Sequence, residues 1–502
     1  MARIIPTERE AKLAAISVSL EEERDERNAF AEALAEELRA DELAAISVSL
    51  EDGVGERSAG TEGEEPPQQR KPLRGGVYTP KEALELLNSH FFIGTSNQEI
   101  GIFRINDDGS VRFIPPEQFK LEIQNIFVQT SSGSGKPAEK FWREHPERHQ
   151  RKIVFRPRGT TEPDEFNLWQ GFGLEARRGW QKQRRLLRHI REVICRRDKA
   201  KFKYLIRSLA WAVQHPDKKP DTVILLKSRK EGTGKSTLGV VMLKIFGPHG
   251  ALIDDKERLL GRFNEWLEIV CFILAEEILW AGDRKTADKF KSFVTADTIQ
   301  IERKFGGCWQ IPNRLHVMMT TNHDHAIAAG VRDRRNVVYD VSDERVGDKA
   351  WFDSLYQDLA AGGISEFLYL LQNLQLGDWH PREILKTAET TEQQRMSGDS
   401  VSQWSQACID ADAIIGAVGL YDLGQRISAE DLRKAHSGYC RQHGLRAVNV
   451  AVFGKACTEI FGPRQRLAQQ TAGSSKRRPW GYEVPDGNEW QEKIDARLGI
   501  QH

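Results

Sequence analysis

Cysteine is scarce and scattered. The 502-residue chain has six, at positions 195, 271, 308, 408, 440 and 457, and no CxxC pair. That spacing excludes a zinc ribbon and speaks against a disulfide framework; a reducing compartment fits best. Long apolar runs are missing as well. Stretches such as IVCFILA (269–275) fall well short of the ~20 residues that span a bilayer, so no membrane partner is expected. The opening MARIIPTERE lacks the apolar core of a secretion signal. With 41 Gly and 19 Pro, a collagen-like or low-complexity chain is also excluded. What remains is a soluble globular protein of roughly two to four domains.

A net charge of one sign is absent too, but the formal zero hides a split. Residues 1–66 carry 18 acids against 7 bases, and the remainder carries 66 bases against 55 acids. A basic body behind an acidic tail permits a polyanionic partner, although a solvated surface has the same composition.

The chain divides by composition. Residues 1–72 read as an acidic, largely disordered tail, in which LAAISVSL occurs twice, at 13–20 and 43–50. Residues 73–175 read as a small α+β domain. Thr79 and Pro80 open a helix, and NDDG turns a hairpin. GSGK within 131–140 follows no buried strand and is not a phosphate loop. Residues 176–215 read as a basic helical collar, lying along phosphates or pairing its arginines with acids of a neighbouring subunit. Residues 216–375 read as an α/β ATPase domain, 376–400 as a linker, and 401–502 as a winged-helix-like domain.

The strongest signal is TVILLKSRKEGTGKSTLGVVMLKIF. An apolar strand runs into a glycine-bearing loop and then a helix, the context a phosphate-binding loop requires. Gly232, Thr233 and Gly234 form the loop, and Lys235 is expected at the β/γ-phosphates. Ser236 is expected on Mg²⁺, with Thr237 completing the first helical turn. Arg229 stands where the strict pattern has glycine. Forty-two residues after Lys235, IVCFILAEE brings Glu276, a candidate metal-shell ligand, and Glu277, a candidate general base. Forty-five residues further, Asn322 ends the strand LHVMMTTN. GVRDRRNVVYDVS then offers Arg332, Arg334 and Arg335 before another strand. HDH at 323–325 lacks a third partner at metal spacing and reads as a loop.

Two regions suit nucleic acid. TIQIE and CWQIP flank RKFGG, a hairpin whose tip presents Arg303, Lys304 and Phe305, cations for phosphate and a ring for a base; an ordinary surface hairpin has the same pattern. At the C-terminal end, a helix capped by Ser428, a second helix in VNVAVFGKACTEIF, and KRRPWGYEV give a helix–helix–wing order. Lys455, Lys476, Arg477, Arg478 and Trp480 are the candidate contacts there.

Taken together, TVILLKSRKEGTGKST, FILAEEI, FKSFVTADTIQIERKFGGCWQIPNRLHVMMTTN and RDRRNVVYDVS resemble a superfamily 3 helicase domain of the AAA+ class. The likeness is to the helicase portion of phage and plasmid primase-helicases, including poxvirus-type and marine-phage polymerase-helicase relatives. It implies an AAA+ P-loop core and the cofactors ATP and Mg²⁺. It also implies Arg334 or Arg335 acting in trans, a hexameric homo-oligomer, and a ring-shaped translocase on single-stranded or forked DNA. The implied role is DNA replication of a phage, prophage or mobile element in the cytoplasm of a bacterial host. A primase or loader is an implied partner, because no primase centre is evident here. The alternative is a replication or maintenance ATPase that assembles on DNA without unwinding it.

Overall fold

A computed structural model describes residues 72–498 apart from 97–98, 108, 131–134, 279–283, 305–306, 324–334, 386, 388, 392–397, 417–422 and 468–478. The acidic tail and its repeated octapeptide therefore lie outside the described residues. No helix among the described residues is long and apolar enough to cross a membrane.

The first unit runs β1 (Gly76–Tyr78), α1 (Pro80–His90), β2 (Phe91–Ser96), β3 (Glu99–Ile105), β4 (Val111–Ile114), α2 (Pro116–Glu122), β5 (Ile126–Gln129), β6 (Gly135–Pro137), α3 (Ala138–Glu144), β7 (Gln150–Val154) and β8 (Glu165–Asn167). Thr79 closes a capping box with Glu82, and Pro80 occupies the first helical position, as the sequence pattern predicts. The strands make a five-stranded sheet, β4-β3-β2-β7-β8, and a three-stranded sheet, β1-β5-β6. Helices α1, α2 and α3 cover one side of the larger sheet, burying Leu87, Phe91, Ile102, Phe119 and Trp142.

The central unit begins with α4 (Arg184–His189), a π turn (Ile190–Ile194) and α5 (Lys199–Gln214). It continues through β9 (Val223–Lys227), α6 (Lys235–Phe246), β10 (Gly250–Ile253), α7 (Lys256–Leu260), β11 (Phe272–Glu276), α8 (Arg284–Thr295), β12 (Thr298–Glu302), β13 (Cys308–Pro312), β14 (His316–Thr321), β15 (Asn336–Asp340), α9 (Lys349–Asp358) and α10 (Ile364–Asn373). Five strands form an all-parallel sheet in the order β10-β11-β14-β9-β15. Its strands are apolar on both faces, as a parallel sheet between helical layers must be. Phe272, Leu274, Met318, Val337 and Tyr339 point to the side of α4, α5, α6 and α10. Ile273, Ala275, Val317, Met319 and Val338 point to the side of α7, α8 and the β12–β13 hairpin. Beyond β15, Thr387 donates to the carbonyl of Val338 and Thr390 accepts from its N–H, so two threonines of the expected linker occupy that sheet edge.

Part of the basic stretch 176–215 is used within the chain itself, a role beside the two that the sequence suggests. Helix α5 is mostly buried, and residues 180–213 share one core with the parallel sheet and α10. Its cations pair within the chain: Arg196 with Asp340 at 2.8 Å, Arg197 with Glu344 at 2.9 Å, Arg185 with Asp358 at 3.0 Å and Lys201 with Glu389 at 2.6 Å. The charge pattern showed that partners were needed, but not that the same chain supplied them.

The last unit comprises α11 (Ser400–Asp410), β16 (Arg426–Ser428), α12 (Ala429–Gln442), α13 (Val450–Phe461), β17 (Gln465–Arg466), β18 (Trp480–Glu483) and α14 (Gly487–Arg497). Ser428 caps α12 through the N–H of Asp431, and Asn449 caps α13. The small sheet is ordered β16-β18-β17. Trp404, Leu432, Phe453, Ile460 and Trp490 fill its core.

Candidate active site

The sheet order puts the C-terminal ends of β9, β14 and β11 side by side, where ligands of open parallel sheets bind. After β9, the loop 228–234 closes on itself. Thr233 is fully buried and donates to the Ser228 hydroxyl at 3.3 Å, which donates to the Lys230 carbonyl at 2.8 Å. The only left-handed residues of the loop are Gly232 (φ 73°) and Gly234 (φ 81°). Arg229 thus sits in ordinary backbone, which is why the missing first glycine does no harm. Its side chain is exposed. A Cβ on Gly234 would come within 2.6 Å of the His189 ring and 2.7 Å of Phe352.

Helix α6 starts with no side-chain cap on its first amides. That leaves the N-terminal N–H groups and the positive end of the helix facing the loop's interior, a ready anion cradle. Lys235, only 7% exposed, donates to Oδ1 of Asn322 at 2.5 Å. The N–H of Asn322 donates to Oε2 of Glu277 at 3.3 Å. Glu277 adopts a left-handed backbone (φ 53°), and its own N–H donates to Thr320 at 2.9 Å. A non-glycine residue in that region is strained, and such strain gathers at functional sites. Burial lowers the Lys235 pKa, opposed by the carboxylates of Glu277, Glu231 and Glu276. The side chains of Ser236 and Glu276 make no hydrogen bond among the described residues. A hydroxyl and a carboxylate so placed fit a hard cation completed by phosphate oxygens. No cluster of three or more His, Cys, Asp or Glu among the described residues forms a metal site by itself.

One site residue escaped the sequence. His189, at the end of α4, is completely buried, and burial pulls its pKa down to about 4. Its Nδ1 accepts from the Trp351 indole at 3.4 Å, so Nε2 carries the proton it shares with the Gly234 carbonyl at 3.3 Å. Across a trans peptide, C=O and N–H point in opposite directions. Holding the Gly234 oxygen toward His189 therefore turns the Lys235 N–H away from it. Trp351 lies in turn beneath the guanidinium of Arg345, 4.2 Å from its ring. Nearby, the hydroxyls of Thr237 and Tyr356 are 3.2 Å apart. A lone histidine in a basic helix carries no sequence signal of this role.

The other candidates divide. Arg335 precedes β15, and its carbonyl accepts from Val223, the first residue of β9. The loop 228–234 lies at the other end of β9, about 17 Å away at ~3.3 Å per residue, so Arg335 is remote from that loop of its own chain. Arg332 and Arg334 lie outside the described residues, as do Asp324 and His325 of the HDH run. Strands β12 and β13 pair antiparallel as predicted. Arg303 is tied to Glu265 at 2.7 Å and lies 5.3 Å from the Trp309 ring; Lys304 beside it is exposed. Phe305 lies outside the described residues. Lys455 is exposed on α13, and Trp480 is 45% exposed with the Arg466 guanidinium 4.5 Å from its ring. Lys476, Arg477 and Arg478 lie outside the described residues.

A family model described as "Family of unknown function (DUF5906)" matches residues 226–335, the span from the end of β9 to Arg335. No curated protein matches the chain. Among solved structures, the apo C-terminal region of NrS-1 (305–718) aligns with 81% of this chain and 99% of its own length, at 14% identity and a TM-score of 0.58. The A form of the same region gives 14% identity over 81% of this chain and 99% of that one, with a TM-score of 0.55. These likenesses show a shared fold. A JCV helicase bound to a substituted acetamide aligns with 46% of this chain and 73% of its own at 13% identity, but its TM-score of 0.22 carries no argument.

Proposed function

We propose that the chain is an ATP-driven DNA helicase of the superfamily 3, AAA+ type, working as a ring on single-stranded or forked DNA during replication of a mobile element. The observation that carries the reading is the Lys235–Asn322–Glu277 chain of contacts at the mouth of a glycine cradle. It joins a cation for phosphate, an amide and a carboxylate in one place, from three distant segments. The strand order supports it, since one strand (β14) separates the loop strand from the acidic strand and presents Asn322 between them.

In this reading the cradle amides and Lys235 hold the β- and γ-phosphates of ATP. Ser236 and Glu276 would hold Mg²⁺, which supplies charge neutralisation on the phosphates when bound. Glu277 takes the proton of the attacking water, and Asn322 positions that water against the terminal phosphoryl group. Arg335, remote from its own loop, is suited to reach a neighbouring subunit's site in a hexamer, with Arg334 as its alternative. The order α11, β16, α12, α13, β17, β18 supports the winged-helix reading, with Lys455 on α13 and Trp480 on β18.

A second reading, an ATPase that assembles on DNA without unwinding, is favoured by the tie between Arg303 and Glu265, which holds the turn end of the hairpin to the body. Strand displacement separates the two. On a forked duplex, the helicase reading requires Lys304→Ala to lose unwinding while retaining ATP hydrolysis. Wild-type protein that hydrolyses ATP yet displaces no strand assigns the chain to the second reading.

A further inference from the structure

The ATP site leaves one chemically loaded surface unexplained, on the first unit. Side chains of the sheet β4-β3-β2-β7-β8 alternate between its faces. Phe91, Ile102 and Ile114 enter the core beneath the helices. The opposite face carries Phe113 on β4, Phe103 on β3, Phe92 on β2, Arg151 on β7 and Phe166 on β8. Register makes these neighbours: Phe113 pairs with Phe103, Phe103 with Phe92, and Arg151 with Gly94. The rings form one row, with centroids 5.8 Å apart for Phe113–Phe103, 5.6 Å for Phe103–Phe92 and 5.1 Å for Phe92–Phe166.

Two glycines make room for this row. A Cβ on Gly94 would lie 2.4 Å from the Phe103 ring, and one on Gly101 would lie 2.3 Å from the Phe113 ring. Each ring therefore leans over bare backbone of the next strand: Phe103 is near-parallel to Phe92 (18°), and Phe113 meets Phe103 edge to face (74°). Phe113 is 51% exposed, and Phe103 and Phe166 are half-buried. Arg151 sits 5.9 Å from the centroids of both Phe92 and Phe166 and has no carboxylate partner among the described residues. Four other arginines of this unit do have carboxylate partners: Arg104 and Arg112 with Glu122, Arg143 with Glu139 and Arg156 with Glu165.

We propose that this sheet face is a stacking platform for the unpaired bases of a single-stranded nucleic acid, with Phe113, Phe103 and the Arg151 guanidinium as its tiles. Flat rings offer π faces to bases of any sequence, and a planar cation without a counter-ion accepts both a base and its phosphate. An apolar protein partner would leave that guanidinium covered and unpaired, which is costly. The platform is separate from the ATP site and from the β12–β13 hairpin. It rests on the proposed helicase reading only for the presence of a single strand.

The test uses the full chain and fluorescein-labelled oligomers read by anisotropy: oligothymidine, oligouridine and an abasic backbone of equal length. Phe113→Ala is expected to weaken binding of a base-bearing oligomer about tenfold, with Phe113→Trp restoring it and the abasic backbone unaffected. Arg151→Gln is expected to flatten the dependence of log K on log salt by about 0.7, the share of one phosphate on a single strand. Iodouracil cross-links are expected on Phe103 or Phe113. A loss confined to oligothymidine or to oligouridine supports the platform and says which polymer it takes. Affinity unchanged in Phe113→Ala, with no cross-link between residues 99 and 114, overturns it. So does a Phe113→Ala protein that keeps its DNA affinity but loses self-association, because the face is then a protein interface. If wild-type protein binds none of the oligomers, the DNA part of the proposed function falls as well. If it binds them and only Lys304→Ala weakens binding, the platform alone falls.

Discussion

The ammonium of Lys235 and the side-chain oxygen of Asn322 meet at 2.5 Å, tying the first turn of α6 to the end of β14. Asn322 occupies the ammonium at the place where a terminal phosphate oxygen would take it over. Lys235→Ala is expected to raise the Kd for a fluorescent ATP analogue ten- to a hundredfold, the range for losing about 1.5–3 kcal/mol of charge-assisted hydrogen bonding. Asn322→Ala frees the ammonium, so affinity should stay within a few-fold while kcat falls. Unchanged affinity in Lys235→Ala would place the phosphates elsewhere.

Glu277 is aimed by backbone groups: a left-handed turn and a hydrogen bond from its N–H to Thr320 place it, and its carboxylate accepts from the Asn322 N–H. Glu277→Gln keeps the shape and removes the base. Nucleotide binding should persist, and turnover should fall by a factor of ~10²–10⁴. Glu276→Gln is expected to act differently, raising the magnesium concentration needed for half-maximal hydrolysis. Equal effects of the two substitutions on both measurements would mean that the roles are shared.

Much of this was legible because it follows from local chemistry. The loop glycines, the apolar strands that feed Lys235, Glu277 and Asn322, the Thr79 and Ser428 caps and the β12–β13 pairing all have signatures within a few residues. The rest depends on what the chain brings together at a distance. Nothing near Arg196 or Arg197 announces Asp340 or Glu344, and nothing near His189 announces Trp351 or Gly234. Nor does alternation within a single strand show that Phe92, Phe103, Phe113 and Phe166 share one face, because sheet order and register decide that. Arg303 illustrates the same limit: its charge suggested a phosphate contact, and the fold spends it on Glu265.

His189 acts through the loop rather than on a ligand, so its loss should appear as a binding defect for phosphates. His189→Leu is expected to raise KM for ATP about tenfold with a smaller change in kcat. His189→Gln, whose amide can still donate toward Gly234, should recover part of the loss. Trp351→Phe removes the donor that fixes the ring's tautomer and should behave as a weaker His189→Leu. Measuring adenosine alongside ATP separates this from general damage: adenosine affinity should be unchanged. Equal losses for both ligands would make the contact merely structural.

Acid should unfold the central unit through histidines held neutral. Burial takes His189 down to about 4 and His316 to about 3. The unfolded chain protonates both near 6.5. Below that value the unfolded state binds protons that the native state refuses. Stability is therefore complete above about pH 6.5 and is lost as the pH falls toward about 4 for His189 and about 3 for His316. Between pH 7 and 5 each ring costs about 2 kcal/mol. His149, His249 and His436 are lowered by burial as well, and their contributions have the same sign. Urea midpoints measured at pH 7 and pH 5 should differ clearly in wild-type protein. The difference should shrink in His189→Gln and shrink further when His316→Gln is added. A wild-type midpoint that stays level across that range would mean that the rings are already charged in the folded chain. In that state Nδ1 of His189 could not accept from Trp351, and the alignment of the Gly234–Lys235 peptide would need another source.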